Sequence, residues 1–90
     1  MKLNNLEFQL SEKKDKKLKV KYNNKWIHFG QKGYPHYFDK TGLLPKDDNH
    51  MDKDRRRLYL ARATKIKDGD NNLTVNDKNS ANYYSVNYLW

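Results

Sequence analysis

Residues 17–29 read KLKVKYNNKWIHF, and the alternation in this stretch decides the architecture. Leu18, Val20 and Tyr22 alternate with Lys17, Lys19 and Lys21, the period of a strand with one buried face. Asn23-Asn24 supplies two residues that tolerate the left-handed backbone of a two-residue hairpin turn, so residues 26–29 are predicted to return as the partner strand. Such a turn sets Tyr22 against Lys25, Lys21 against Trp26, Val20 against Ile27, Lys19 against His28 and Leu18 against Phe29. Leu18, Val20, Ile27 and Phe29 then share an apolar face, while Lys17, Lys19, Lys21, Trp26 and His28 share a basic, aromatic one. Sliding the register by a single residue would mix the two sets.

Working toward the N-terminus, Leu6, Phe8 and Leu10 alternate with Glu7 and Gln9, which predicts another half-buried strand. Residues 11–17 (SEKKDKK) hold no apolar side chain and read as a solvated connection. Beyond the hairpin, Gly30 and Gly33 introduce Tyr34, Pro35, Tyr37 and Phe38, an aromatic stretch whose proline argues against a central strand and for an ordered loop. Residues 39–48 (DKTGLLPKDD) place Leu43-Leu44 among turn residues, as expected of a loop that covers the core. Asn49 followed by Asp52 reads as a capping pair opening a helix that runs to Lys65, with acids in its first turn and bases in its last. Its apolar stripe is loose: Met51, Leu58, Ala61 and Ile66, broadened by Tyr59, Leu60 and Ala63.

Residues 68–72 (DGDNN) form a turn, and Leu73-Thr74-Val75 is expected as a short strand. Residues 80–90 (SANYYSVNYLW) admit two readings. Alternation puts Tyr84, Val86, Tyr88 and Trp90 on one side of a strand; helical spacing joins Ala81, Tyr84 and Tyr88 behind a Ser80 cap, and the cap favours the helix. The expected fold is a single α+β domain over residues 1–90, with a small antiparallel sheet of the N-terminal strand plus the hairpin, packed on one main helix and a short C-terminal helix.

Nineteen Lys and Arg against eleven Asp and Glu give the 90 residues a formal charge of +8, which directs attention to phosphate-rich or acidic partners. Apolar residues are only 36%, yet seven Tyr, three Phe and two Trp argue for a folded domain over a disordered one. With no Cys, disulfides, zinc ribbons and thiol nucleophiles are excluded. The first ten residues lack the apolar core of a signal peptide, and no run is apolar enough for a membrane span, so secretion and membrane insertion are not expected. So thin a core leaves a monomer marginal, and a homodimer through hairpin edges or through Tyr34, Tyr37 and Phe38 is expected to compensate.

The motifs that carry chemistry are few. Asp68, Asp70 and Asn72 open like a calcium loop, but Leu73 stands where the turn needs Gly and Asn79 where a bidentate Glu should close the shell. His28, His36 and His50 have no partner at metal-ligand spacing. Gly30 and Gly33 are not followed by the Lys-Ser or Lys-Thr of a phosphate loop, and no Ser sits in a nucleophile elbow. No catalytic residue, metal site or cofactor is predicted, and the protein reads as a non-enzyme. What does accumulate is basic: Lys17, Lys19 and Lys21 beside Trp26 and His28 on the strand, and Arg55, Arg56, Arg57, Arg62 and Lys65 on the helix. Cations of this kind bind phosphate by counterion release, and exposed aromatics stack on unpaired bases. These ten residues are the predicted nucleic-acid-binding set. No helix-turn-helix, zinc-finger or RNA-recognition signature points to base readout.

Three segments together, His28-Phe29-Gly30-Gln31-Lys32-Gly33-Tyr34, residues 52–62 (DKDRRRLYLAR) and residues 79–90 (NSANYYSVNYLW), resemble a family of short basic proteins of unknown function encoded by large DNA viruses of eukaryotes. The resemblance spans residues 14–90. It implies a viral source and packaging into the virion; with the charge, the expectation is a protein of the virion and of the host cytoplasm or nucleus whose partner is nucleic acid or, alternatively, an acidic viral or host protein. It supplies no catalytic residue. The same motifs have a structural reading, in which Gly30, Gly33, Tyr59 and the closing Leu89-Trp90 latch chain-end aromatics over a thin sheet.

Overall fold

Both residues of Asn23-Asn24 take positive φ, 52° and 62°, in the computed structural model, which describes residues 1–90. They join β3 (Lys16–Tyr22) to β4 (Lys25–Gln31) in the expected register, from Tyr22 opposite Lys25 to Leu18 opposite Phe29. A second Asn-Asn turn, Asn4-Asn5 at φ 56° and 64°, joins β1 (Lys2–Leu3) to β2 (Leu6–Leu10). The sheet is antiparallel in the order β1-β2-β3-β4. The first strand was not foreseen, because two residues are too few to show a period.

The protein is an α+β fold, and its shorter helix does most of the packing. α1 (Lys53–Ala63) contributes nothing to the core cluster, whereas α2 (Ala81–Tyr88) and the following Leu89 supply Tyr84, Tyr88 and Leu89 to it. These meet Phe8, Leu18, Val20 and Phe29 of the sheet, with ring centroids 4.7 Å apart for Phe8 and Tyr88 and 5.9 Å for Phe29 and Tyr84. Each fully buried side chain of this kind is worth about 1.5–3 kcal/mol. The Tyr84 hydroxyl is not wasted on burial: it donates to the Lys78 carbonyl at 2.6 Å, and burial pushes its pKa up to about 12.

α2 starts where the Ser80 cap predicts, with the Ser80 hydroxyl accepting from Asn82 N–H. Its end is finished by the aromatic loop, since Phe38 N–H donates to the Leu89 carbonyl and Lys40 N–H to the Tyr88 carbonyl, satisfying groups a helix end leaves open. The loop is ordered by its own polar core. Buried Asp39 accepts from Thr41 N–H, Thr41 hydroxyl and Leu44 N–H, and this turn presses Leu43 and Leu44 against the hydrophobic cluster.

Three local expectations are corrected. The cap of α1 is Asp52, whose carboxylate accepts from Asp54 and Arg55 N–H, and not Asn49; Met51 between them sits at φ 57°, where a helix cannot pass. Residues 73–75 form no strand: Leu73 makes an isolated bridge to Lys67, and Thr74–Asn76 close a 3-10 turn. The helix ends at Ala63 instead of Lys65, with Met51, Leu58 and Ile66 exposed. No helix is long and apolar enough to cross a membrane.

Candidate functional site

The ten predicted residues fall into separate places. Lys19, Lys21, Trp26 and His28 occupy the outer face of the sheet. Lys19 lies 2.9 Å from Glu12 and 4.6 Å from the centroid of the Trp26 ring, with Lys21 at 6.0 Å from the same ring. The Lys19 hydrogen bond holds the Glu12 carboxyl below its usual range. His28 Nδ1 is 2.7 Å from the Ser11 hydroxyl, and partial burial lowers its pKa, with Lys13 adding to the effect. Cations and ring on this face are therefore already each other's partners.

Lys17 does not belong with them. Its ammonium donates to the Tyr34 carbonyl and, at 3.0 Å, to His36 Nδ1. The strand alternation that would keep it beside Lys19 is interrupted opposite it, where Gly30 takes φ 77°. Burial lowers the Lys17 pKa against the opposing pull of Asp48 and Asp39. His36 is 1% exposed and its Nε2 donates to Asn49 Oδ1 at 2.7 Å, so the ring is the neutral tautomer with Nδ1 free to accept. Burial and then Lys17 lower its pKa, and Asn49 itself is occupied by His36 and Asp39 N–H.

The three consecutive arginines diverge, as 100° per residue requires. Arg56 donates from Nε to the Trp90 main-chain oxygen at 2.9 Å and lies 5.2 Å from the Tyr37 ring, so it ties α1 to the chain end. The Trp90 ring stacks on Tyr59 at 4.0 Å and 6°, completing the latch, while Leu89 closes over Gly30. Arg57 and Lys65 are exposed and make no ion pair. Arg55 has a long contact to Asp52, 3.6 Å, and with Arg62 turns into a cleft.

That cleft, of about 580 Å³, opens between the end of the hairpin, residues 34–36, α1 and α2. Lys16, Lys17, Arg55 and Arg62 line it together with His36 and His50, and no Asp or Glu does. Tyr34, Tyr59 and Trp90 give it rings. His50 accepts from Asp52 N–H at Nδ1, which leaves the proton on Nε2, and that buried N–H has no partner. Burial is the main cause of its lowered pKa, with Arg55 second. Sequence reasoning missed Lys16, Tyr34, His36 and His50 as members of one site, since their meeting depends on the His36–Asn49 bridge and the Met51 turn.

Residues 6–41 match the model of a family of unknown function (DUF5754). The matched stretch is similar to that family from β2 through Thr41 and so takes in the strand and loop walls of the cleft, without either helix. No curated protein and no solved structure matches the chain.

Proposed function

We propose that the protein is a small non-enzymatic accessory protein that binds nucleic acid through the phosphate backbone, without strong sequence preference, and is carried in a virus particle. One observation carries the binding reading: of nineteen Lys and Arg residues only Lys19 and Arg55 are in ion pairs. Cations held on a rigid frame without counter-charges release condensed counterions when they meet phosphate. The resemblance described above supports the viral setting. Affinity for single-stranded or duplex DNA should fall about 10³-fold or more between about 50 and 200 mM salt, with little dependence on sequence. Absence of binding at low salt by gel shift and by anisotropy overturns the reading.

A second reading is favoured by the exposed Phe38, Met51 and Ile66, namely an interaction protein of the virion that meets an acidic viral or host protein. A protein of that kind ignores DNA in a gel and follows capsid proteins through particle disruption. The homodimer also belongs to the proposal, with the open edge of β4 as its seam, because Tyr37 is taken by Arg56 and His50. Sedimentation at micromolar concentration should then give twice 10.9 kDa, and a monomer mass removes the dimer.

A further inference from the structure

Resting on the nucleic-acid reading above, we infer that the cleft seats one unpaired nucleotide, its phosphate among Lys16, Arg55 and Arg62 and its base against Tyr34. A volume of about 580 Å³ lies in the range of pockets that enclose small organic ligands and is ample for more than a bare oxyanion. The lining holds Lys16, Lys17, Arg55 and Arg62 and no Asp or Glu side chain, so its side chains favour an anion. Tyr34 is 65% exposed and Leu58 52%, both on the cleft wall, and an exposed ring beside Lys16 and Arg62, which have no ion pair, is the combination that stacks a base while its phosphate is held.

Lys17 and His36 are the support rather than the contact. Their bond to each other, and Lys17's bond to the Tyr34 carbonyl, hold residue 34 at the mouth. The shared chemistry is a phosphate joined to a flat ring, which a free mononucleotide and one residue of a strand both offer. A base paired in a duplex has neither face available, so the cleft confers preference for single strands.

The test is anisotropy of fluorescein-labelled hexathymidylate and of a hairpin duplex with the same number of phosphates, on the full chain. Hexathymidylate should bind about tenfold more tightly than the duplex, and Tyr34→Ala should weaken it about 5- to 50-fold while leaving duplex affinity and the melting temperature unchanged. Competition separates the sources: thymidine monophosphate displacing the strand where inorganic phosphate does not assigns the site to a nucleotide unit, and failure of both with the Tyr34 effect intact assigns it to the strand only. Equal affinity for both DNAs with a silent Tyr34→Ala overturns the inference and leaves the salt-dependent reading standing. Displacement by an oligoglutamate peptide but not by thymidine monophosphate, with Tyr34→Ala silent, also overturns it, in favour of an acidic protein. No binding to either DNA removes the underlying reading as well.

Discussion

On the outer face of the sheet Lys19 is held between Glu12 and Trp26, whereas in the cleft Lys16 and Arg62 stand without an ion pair beside the half-open rings of Tyr34 and Trp90. Both regions are basic and aromatic, and they differ in what stands across from the cations. On the sheet face Glu12, in the turn after β2, pairs with Lys19, the Trp26 ring lies beside Lys19 and Lys21, and Glu7 of β2 is taken by Gln9. The cleft is walled by elements distant in sequence and has no Asp or Glu in its lining, although Asp52 stands 3.6 Å from Arg55. Charge density along a sequence therefore locates cations, while their availability is decided by what the fold places across from them.

Gly30 is where the two regions part, and breaking it has the largest expected effect. A Cβ there would sit 2.8 Å from Leu89 Cδ1 at φ 77°. Gly30→Val should cost about 3 kcal/mol in urea unfolding, from the left-handed backbone and the overpacking together. Gly33, at φ 88° with nothing within 4 Å, isolates the backbone part: Gly33→Ala should cost about 1–2 kcal/mol. Equal costs for the two would mean that Leu89 yields and the latch is loose.

Next in size is the charge comparison. Replacing Lys16, Arg55 and Arg62 by Gln should weaken hexathymidylate binding about 10- to 100-fold and lower the salt slope by about 0.7, since the three share one phosphate of a single strand. Replacing Lys19 and Lys21 should weaken it less than about threefold, because Lys19 must give up Glu12 and both lie outside the cleft. Anisotropy across a salt series checks both, and the reverse order would transfer the site to the sheet.

Acid sharpens the contrast further. The folded protein lowers the pKa of His36, His50 and His28, mainly by burial, so at mildly acid pH the unfolded chain binds protons that the folded one refuses. Stability is thus fully present above the ordinary histidine value of 6.5 and is lost as pH falls through the lowered values. Melting temperature should be flat from about pH 7 to 8 and drop below about 6, and His36→Gln should flatten the drop more than His28→Gln. At the small end, Glu12→Gln should leave the melting temperature unchanged within error, since the Glu12 end of its ion pair with Lys19 is exposed and screened.

The hairpin was legible because Asn23-Asn24 sets its own register and every cross-strand pair follows from it. α2 was legible through Ser80, and the latch through Leu89-Trp90 and Tyr59. The entry to α1 was not: Asn49 and Asp52 are equally good caps by residue type, and the positive φ of Met51 together with the His36 and Asp39 bonds to Asn49 separates them. Lys17 was placed on the sheet face by alternation, which holds only until Gly30 breaks it. His36 and His50 carried no spacing signal, for they act through Asn49, Lys17 and Asp52 and not through each other.

The two tryptophans make the central claim directly measurable, since Trp26 lies on the sheet face and Trp90 lines the cleft. In the unaltered protein, titration with hexathymidylate followed through the two indole N–H resonances should move the Trp90 signal to saturation and leave Trp26 in place. Movement of Trp26 with Trp90 stationary would contradict the account and put the binding surface on the sheet.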